Sequence, residues 1–355
     1  MKWLNALPLQ NGDELLPGFR PGFGPEPGGH DIMIRAKLAG HYREDARYPA
    51  AMVNITNRCN LACAHCFIFR DGNPNEQTVS IRDEMSDETI LETLCGLRDR
   101  HGIASMLWMG GEPLLRPKLL KKGVGLFPRN IVVTNGTAPL IDFGPDALYV
   151  VSLDGPADLN DAMRGKGTYA RVMRNLSRRP ADFATPVQIQ CVVTRRNQHR
   201  VGELVEALRD VRVDWMTFSF YVPRARDESA DAWPTNEDRA WAVHEVMRLR
   251  EEHPGFVRNS QRSLELMLPP TCEDVVAACP ARDNVLPLWM ERDGFVTPFC
   301  CYGNDVDCGR CGAWVVFALA AKFGYERDGI AADVRASALV RLNASERASV
   351  DRNPL

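Results

Sequence analysis

The sequence predicts an α/β fold: a partial (β/α)6 barrel followed by a small cysteine-rich region. Three observations lead there. From residue 51 onward, short apolar runs alternate with amphipathic stretches, the pattern of repeated β-α units around a parallel sheet. At 355 residues the chain accommodates one α/β domain of about 200–250 residues and a smaller unit. The residues able to carry chemistry fall just after the apolar runs, and β/α barrels build their sites on loops at the carboxyl ends of the strands.

Residues 1–50 read as irregular. The stretch 17–29 alternates Pro and Gly, which holds neither a helix nor a central strand, and is expected to be a loop covering the barrel. Strands are predicted at 52–56, 105–109, 130–134, 148–153, 187–193 and 215–220. Helices are predicted at 87–100 behind a Ser86 cap, near 118–126, and at 169–178, 201–209 and 237–252. The longest apolar run, 313–321, falls short of the roughly 18 residues of a membrane span and reads as a buried helix. The chain therefore divides into a covering segment at 1–50, a core barrel at 51–255, a cysteine-rich domain at 256–324 and a tail at 325–355. The tail, rich in Ala, Arg and Ser, suits a surface helix or partial disorder.

Hydrophobic residues at 45% and charged residues at 25% are ordinary for a globular protein. A net charge of −3 supplies no basic surface, so no nucleic-acid partner is expected. The amino terminus lacks the pattern of a signal peptide. Eleven cysteines without one point to thiolates kept reduced in the cytoplasm for metal, not to disulfides.

Cys59, Cys63 and Cys66 have C-x3-C-x2-C spacing within one tight loop. A [4Fe–4S] cube normally takes four cysteines, so three leave one iron open, and an open metal position is where chemistry happens. The competing reading is a zinc knuckle, but zinc favours four closed ligands and repeated C-x2-C pairs. Gly110-Gly111-Glu112-Pro113 follows the second strand; its glycines permit close backbone approach to a ligand, and its acid can accept from an ammonium group. Thr134-Asn135-Gly136 closes the third strand and Ser152-Leu153-Asp154-Gly155 the fourth. Asp154 either faces substrate or caps its loop. Arg164 is either a partner for a carboxylate or a solvated surface arginine.

These motifs together resemble the signature of the radical S-adenosylmethionine (radical SAM) enzymes, over roughly residues 50–312. The resemblance implies a partial (β/α)6 radical SAM barrel whose open iron chelates the amino and carboxylate groups of S-adenosylmethionine. It implies that Gly110, Gly111 and Glu112 bind the amino group, and that Asn135 and Ser152 contact the methionyl or ribose part. Arg164 joins this cofactor-binding set, and Thr194 and Asn197 are expected to reach the ribose. His65 stands where the family often has an aromatic residue against the adenine; a flat imidazole fills that place without closing the iron. The implied chemistry is one-electron cleavage of the cofactor to methionine and a 5′-deoxyadenosyl radical. That radical removes hydrogen from an unactivated carbon or adds to an unsaturated one. A reductant such as flavodoxin or ferredoxin would supply the electron.

Farther along, apolar runs flank an Asp293-Gly294 turn, a hairpin signal that would bring Cys279 and Cys300 together. Cys308 and Cys311 add a C-x2-C pair and complete four thiolates. The block resembles the opening of a SPASM domain, and the absence of its later cysteines suggests the shortened "twitch" form with a single auxiliary [4Fe–4S] cluster. Zinc is the alternative. Cys301 is an alternative ligand to Cys300, or a free thiol; Cys272 is a spare, and Cys95 and Cys191 read as small buried apolar residues. The substrate is a peptide or a small molecule, with radical addition to a lipid or metabolite as a competing reading. A winged helix common among peptide-modifying relatives does not fit in 1–50. A non-catalytic iron–sulfur redox or scaffold protein is the reading from another class, and GGEP argues against it.

Overall fold

The computed structural model describes residues 43–69, 84–323 and 325. The covering loop expected at 17–29 and nearly all of the tail lie outside them. Strands β1 (Ala50–Asn54), β2 (Ser105–Met109), β3 (Arg129–Thr134), β4 (Ala147–Ser152), β5 (Val187–Val193), β6 (Trp215–Phe220), β7 (Val285–Glu291) and β8 (Gly294–Val296) form one open sheet in the order β6-β5-β4-β3-β2-β1-β7-β8. Every pairing is parallel except the β7–β8 hairpin.

The helices follow from local chemistry. In α1 (Asp87–His101), Ser86 accepts from the Thr89 N–H, Asp87 and Glu88 occupy the first turn, and Arg98, Arg100 and His101 the last, complementing the helix dipole. Ile90, Leu94, Leu97 and His101 make its buried stripe. Cys95 sits at the edge of that stripe and is half-buried, not fully buried as expected. Helices α2 (Pro117–Gly123), α3 (Ala157–Arg164), α4 (Thr168–Ser177) and α5 (Val201–Leu208) pack along the barrel, and α6 (Asn236–Glu252) opens on a Thr235–Asp238 capping box. Short helices α7 (Gln261–Glu265), α8 (Thr271–Ala277) and α9 (Ala281–Asn284) lead into β7, and α10 (Trp314–Lys322) is the buried helix expected near 313–321. Among the described residues no helix is long and apolar enough to cross a membrane.

Register fixes which side chains line the barrel. Trp108 packs edge-on to Phe127, donates to Asn130 Oδ1 and would collide with any Cβ at Gly123 of α2, so its face of the sheet meets the helices. Met52, Leu107 and Ile131, one register step away, point to the inner face. So do Ser152, Gln190 and Thr217, which stand side by side on β4, β5 and β6. Leu107, Ile131, Ser152 and Gln190 are half-buried, whereas Met106, Trp108, Val151 and Cys191 on the outer face are buried.

The hairpin differs from expectation in two ways. Its turn is Arg292-Asp293, because Gly294 is already paired with Glu291. And β7 does not stand apart from the barrel: it lies parallel to β1, with Ala50 opposite Val285 and Val53 opposite Leu288.

Candidate cofactor and metal site

The cysteine loop starts where β1 ends, and a buried clamp sets its course. The Glu84 carboxylate accepts from Thr56 Oγ1 (2.7 Å), the Asn57 N–H (2.7 Å) and Arg58 Nε (3.3 Å). Arg116, itself buried, donates to the carbonyls of Ile55 and Met85 (2.8 and 2.9 Å) and pairs with Asp87. Sequence reasoning missed both Glu84 and Arg116, since neither belongs to a local pattern.

The Gly110-Gly111-Glu112 turn is laced onto the same loop. The Gly111 and Glu112 N–H groups donate to the carbonyls of Thr56 and Arg58 at 2.8 and 2.9 Å. A Cβ on Gly110 would stand 2.5 Å from the Thr56 carbonyl oxygen, and one on Gly111 2.2 Å from that of Arg58. The close approach these glycines permit is therefore to the cysteine loop itself. Buried Glu112 accepts from the Leu114 N–H (3.0 Å), Thr134 Oγ1 (2.7 Å) and the Asn135 N–H (2.8 Å). Burial raises its carboxyl, and these donors oppose the rise. A carboxylate offers about four acceptor positions, so three donors leave about one.

The three cysteines are half-buried, and their thiols act on one another. Burial, reinforced by Cys66 and Cys59 and opposed by Arg164, pushes the Cys63 thiol up to about 11. Burial likewise raises Cys59, with Glu112 and Cys66 adding to the rise. Asn135 Nδ2 bridges to Asn60 Oδ1 (2.9 Å) and reaches Cys59 Sγ at 4.0 Å. Among the described residues, no group of three or more His, Cys, Asp or Glu converges tightly enough to hold a single ion. A [4Fe–4S] cube makes a different demand, since it spreads its thiolates over separate irons. Three neighbouring thiols with N–H donors nearby match the donor set of such a cube with one iron open.

Asp154 is the hub of the opposite wall. Fully buried, it receives Arg164 Nε (2.5 Å) and His65 Nε2 (3.0 Å) on Oδ2 and the Val192 N–H (2.9 Å) on Oδ1. Burial opposes its ionisation, but the Arg164 charge and then that of His65 outweigh it and hold the carboxyl well below the usual range. Of the two readings of Arg164, the structure selects the buried partner of a carboxylate, and that carboxylate is Asp154. Arg164 ends α3, and its terminal Nη groups have no protein partner among the described residues. His65, expected as a flat filler, hydrogen-bonds Asp154 and keeps a buried Nδ1 with no partner among the described residues. Ser152 ends β4 with its hydroxyl unbonded among the described residues. Thr194 and Asn197 depart from expectation: both are fully buried. Asn197 joins the Asp154 and Val192 carbonyls (2.7 and 2.9 Å) to the Thr194 N–H (2.7 Å), so its amide is spent on backbone and not free for a ribose.

The second cysteine set gathers around one pocket of about 680 Å³, open solvent at its mouth included, lined by Cys279, Cys300, Cys301, Cys308 and Cys311. N–H groups face several sulfurs: those of Ala281 and Arg282 act on Cys279, and that of Tyr302 lies 3.5 Å from Cys300 Sγ. Burial pushes the Cys300 thiol up to about 12, with Cys279 and Cys308 adding to it and the Tyr302 N–H opposing. Cys301 is raised well above the ordinary range, first by burial, and gains no such donor from a neighbouring residue. Of the two adjacent cysteines, Cys300 is better supplied as a thiolate ligand. Cys272 is buried behind this set beside Arg239. Tyr302 also bridges the two cysteine regions, its ring 4.8 Å from that of Phe67, the residue after Cys66.

Residues 53–179 match the family model described as the Radical SAM superfamily. The chain is 30% identical over 203 residues to the pre-heme d1 synthase of Dinoroseobacter shibae, covering 52% of this chain and 47% of that protein. It is 26% identical over 224 residues to the PqqA peptide cyclase of Rhizobium meliloti, covering 59% and 57%. The chain thus spans about half the length of the curated relatives it matches. In fold it is similar to native anSMEcpe with bound AdoMet, at a TM-score of 0.52 and 19% identity over 76% of this chain and 80% of that one.

Proposed function

The chain belongs to the radical SAM superfamily of enzymes, and from that premise we propose that it reductively cleaves S-adenosylmethionine to modify a peptide or small-molecule substrate at an unactivated carbon. The observation that carries this reading is the placement of Cys59, Cys63 and Cys66 at the carboxyl end of β1, on a loop whose Thr56 and Arg58 carbonyls accept from the Gly111 and Glu112 N–H groups at the end of β2. Cys59, Cys63 and Cys66 would hold a cluster with one open iron, and that cluster would supply the single electron needed to cleave the cofactor's carbon–sulfur bond.

The surrounding residues suit the cofactor's groups. The remaining acceptor capacity of Glu112 meets an ammonium group, and the unpartnered Nη groups of Arg164 meet a carboxylate in the bidentate geometry guanidinium favours. Asp154 fixes Arg164 in that pose, and the Ser152 hydroxyl lies on the inner face near the same strand ends. The half-buried inner face, apolar at Leu107 and Ile131 and polar at Ser152 and Gln190, would receive the substrate.

Residues 256–324 act in this reading as a SPASM/twitch-like unit in which Cys279, Cys300, Cys308 and Cys311 hold an auxiliary [4Fe–4S] cluster. A low-potential donor such as flavodoxin or ferredoxin supplies the electron, and the reduced thiolates require a compartment such as the cytoplasm. A relative that acts on a peptide and another that acts in pre-heme d1 synthesis leave the choice of substrate to experiment. The test of the reaction is anaerobic reconstitution with iron and sulfide, then reductant and S-adenosylmethionine. Release of 5′-deoxyadenosine is expected, together with its loss in each of Cys59→Ala, Cys63→Ala and Cys66→Ala. Undiminished release in any of the three would sink the assignment.

A further inference from the structure

Two arginines flank the C-terminal thiols, and neither has a carboxylate partner among the described residues. Arg239, buried in α6, donates to the carbonyls of Arg310 (3.1 Å) and Cys311 (2.7 Å) and faces the thiols of Cys272 and Cys311. Arg282, half-buried in α9, donates from Nη2 to Cys308 Sγ at 3.8 Å and stacks over the Phe299 ring at 5.1 Å. The adjacent Asp283 does not neutralise it, being paired with Arg43 at 3.0 Å. The Arg282 charge also reaches Cys279 and Cys300, where it opposes the larger effect of burial. Three of the four proposed ligands thus share one cation. At the first cysteine set, by contrast, the charge of Arg164 is balanced by Asp154.

We propose that Arg282 is a positioning residue that sets the reduction potential of the auxiliary cluster, holding it more positive than four thiolates alone would allow. The inference rests on the auxiliary-cluster reading above. An added electron makes the centre more negative. A guanidinium at hydrogen-bond distance from one sulfur and close to two more stabilises that reduced state, and net charge and hydrogen bonds to sulfur are among the factors that fix such potentials. Phe299 keeps the guanidinium plane in place. Arg239 contributes charge from the far side, but it also ties down the backbone at Cys311, so its removal would disturb the ligand loop as well as the charge.

The experiment uses full-length protein carrying Cys59→Ala, Cys63→Ala and Cys66→Ala, so that only the C-terminal site can load. It is reconstituted anaerobically and titrated redox-potentiometrically by electron paramagnetic resonance, alone and with Arg282→Gln or Arg282→Lys. Arg282→Gln is expected to keep its iron. At a fixed potential its ratio of reduced to oxidised cluster should fall at least tenfold, a negative shift of about 59 mV for one electron. Arg282→Lys, which retains charge without the planar fork, should shift in the same direction but less. If Arg282→Gln fails to load, the smaller negative shift of Arg282→Lys carries the test. Unchanged midpoints at equal iron content would overturn the role of Arg282 while leaving the cluster in place. Zinc with no paramagnetic signal in the parent variant would overturn the auxiliary-cluster reading, and this inference with it.

Discussion

Asp154 holds Arg164 and His65 in a shell that solvent scarcely reaches, and the energetics of such a hub are asymmetric. A buried pair contributes little net stability relative to an apolar replacement, but removing one partner strands the other charge. Asp154→Asn should therefore cost about 3–5 kcal/mol near neutral pH, read by denaturant unfolding. The pH dependence has a fixed sign. Asp154 is held below the ordinary carboxylate range in the folded chain, so the unfolded chain binds its proton more readily. The stability it confers is complete above about pH 5 and is lost as pH falls through the ordinary range toward the folded value. Wild type and Asp154→Asn should converge on acidification; parallel stability curves down to the acid limit would show that Asp154 is not ionised in the folded protein. At this scale the Cys59, Cys63 and Cys66 triplet was legible because its spacing lies within one short stretch of chain. The partnership of His65, Asp154 and Arg164 was not, because it joins three separate segments through space.

Strands were more legible than their connections. The six predicted barrel strands lie within two residues of those observed, since a strand buried on both faces reads as a short apolar run bounded by polar residues. Helix α3 escaped notice because its buried positions are Asn160 and Met163, which leave almost no apolar period to detect. The GGEP turn was visible as a motif, but its geometry was not: its glycines face the cysteine loop. Gly111→Ala tests that point. A Cβ cannot sit 2.2 Å from the Arg58 carbonyl oxygen, so the turn or the loop must move, and with it the spacing of Cys59, Cys63 and Cys66. Anaerobic reconstitution of Gly111→Ala should return at most about half the iron of wild type, the C-terminal site remaining loaded in a folded protein. Full iron together with normal cofactor affinity would mean that the turn yields without disturbing the site.

Across the whole molecule, the parallel pairing of β1 with β7 governs how the two cysteine sets depend on each other. These strands lie more than two hundred residues apart in sequence, and no local pattern announces that they meet; periodicity predicts a hairpin but not the sheet it joins. The consequence is that β7 and the segment around it complete the barrel's edge as well as holding the second set of thiols. Leu286 and Leu288 are fully buried on β7, and Trp289 packs toward Phe67, just past Cys66. A chain ending at residue 255 would expose the free edge of β1, the strand that carries the cysteine loop, and an unpaired edge strand is prone to aggregation. Such a truncation should therefore fail to give a soluble protein that binds iron at Cys59, Cys63 and Cys66. Because truncation is drastic, Leu288→Ala supplies a gentler form of the same test. Deleting this buried side chain should cost about 2–5 kcal/mol. Hydrogen exchange should then quicken along β1 as well as β7, because the two strands share one ladder of hydrogen bonds. Were residues 256–324 an independently folded attachment, Leu288→Ala would loosen β7 and β8 alone, and the exchange of β1 and its cysteine loop would be unchanged.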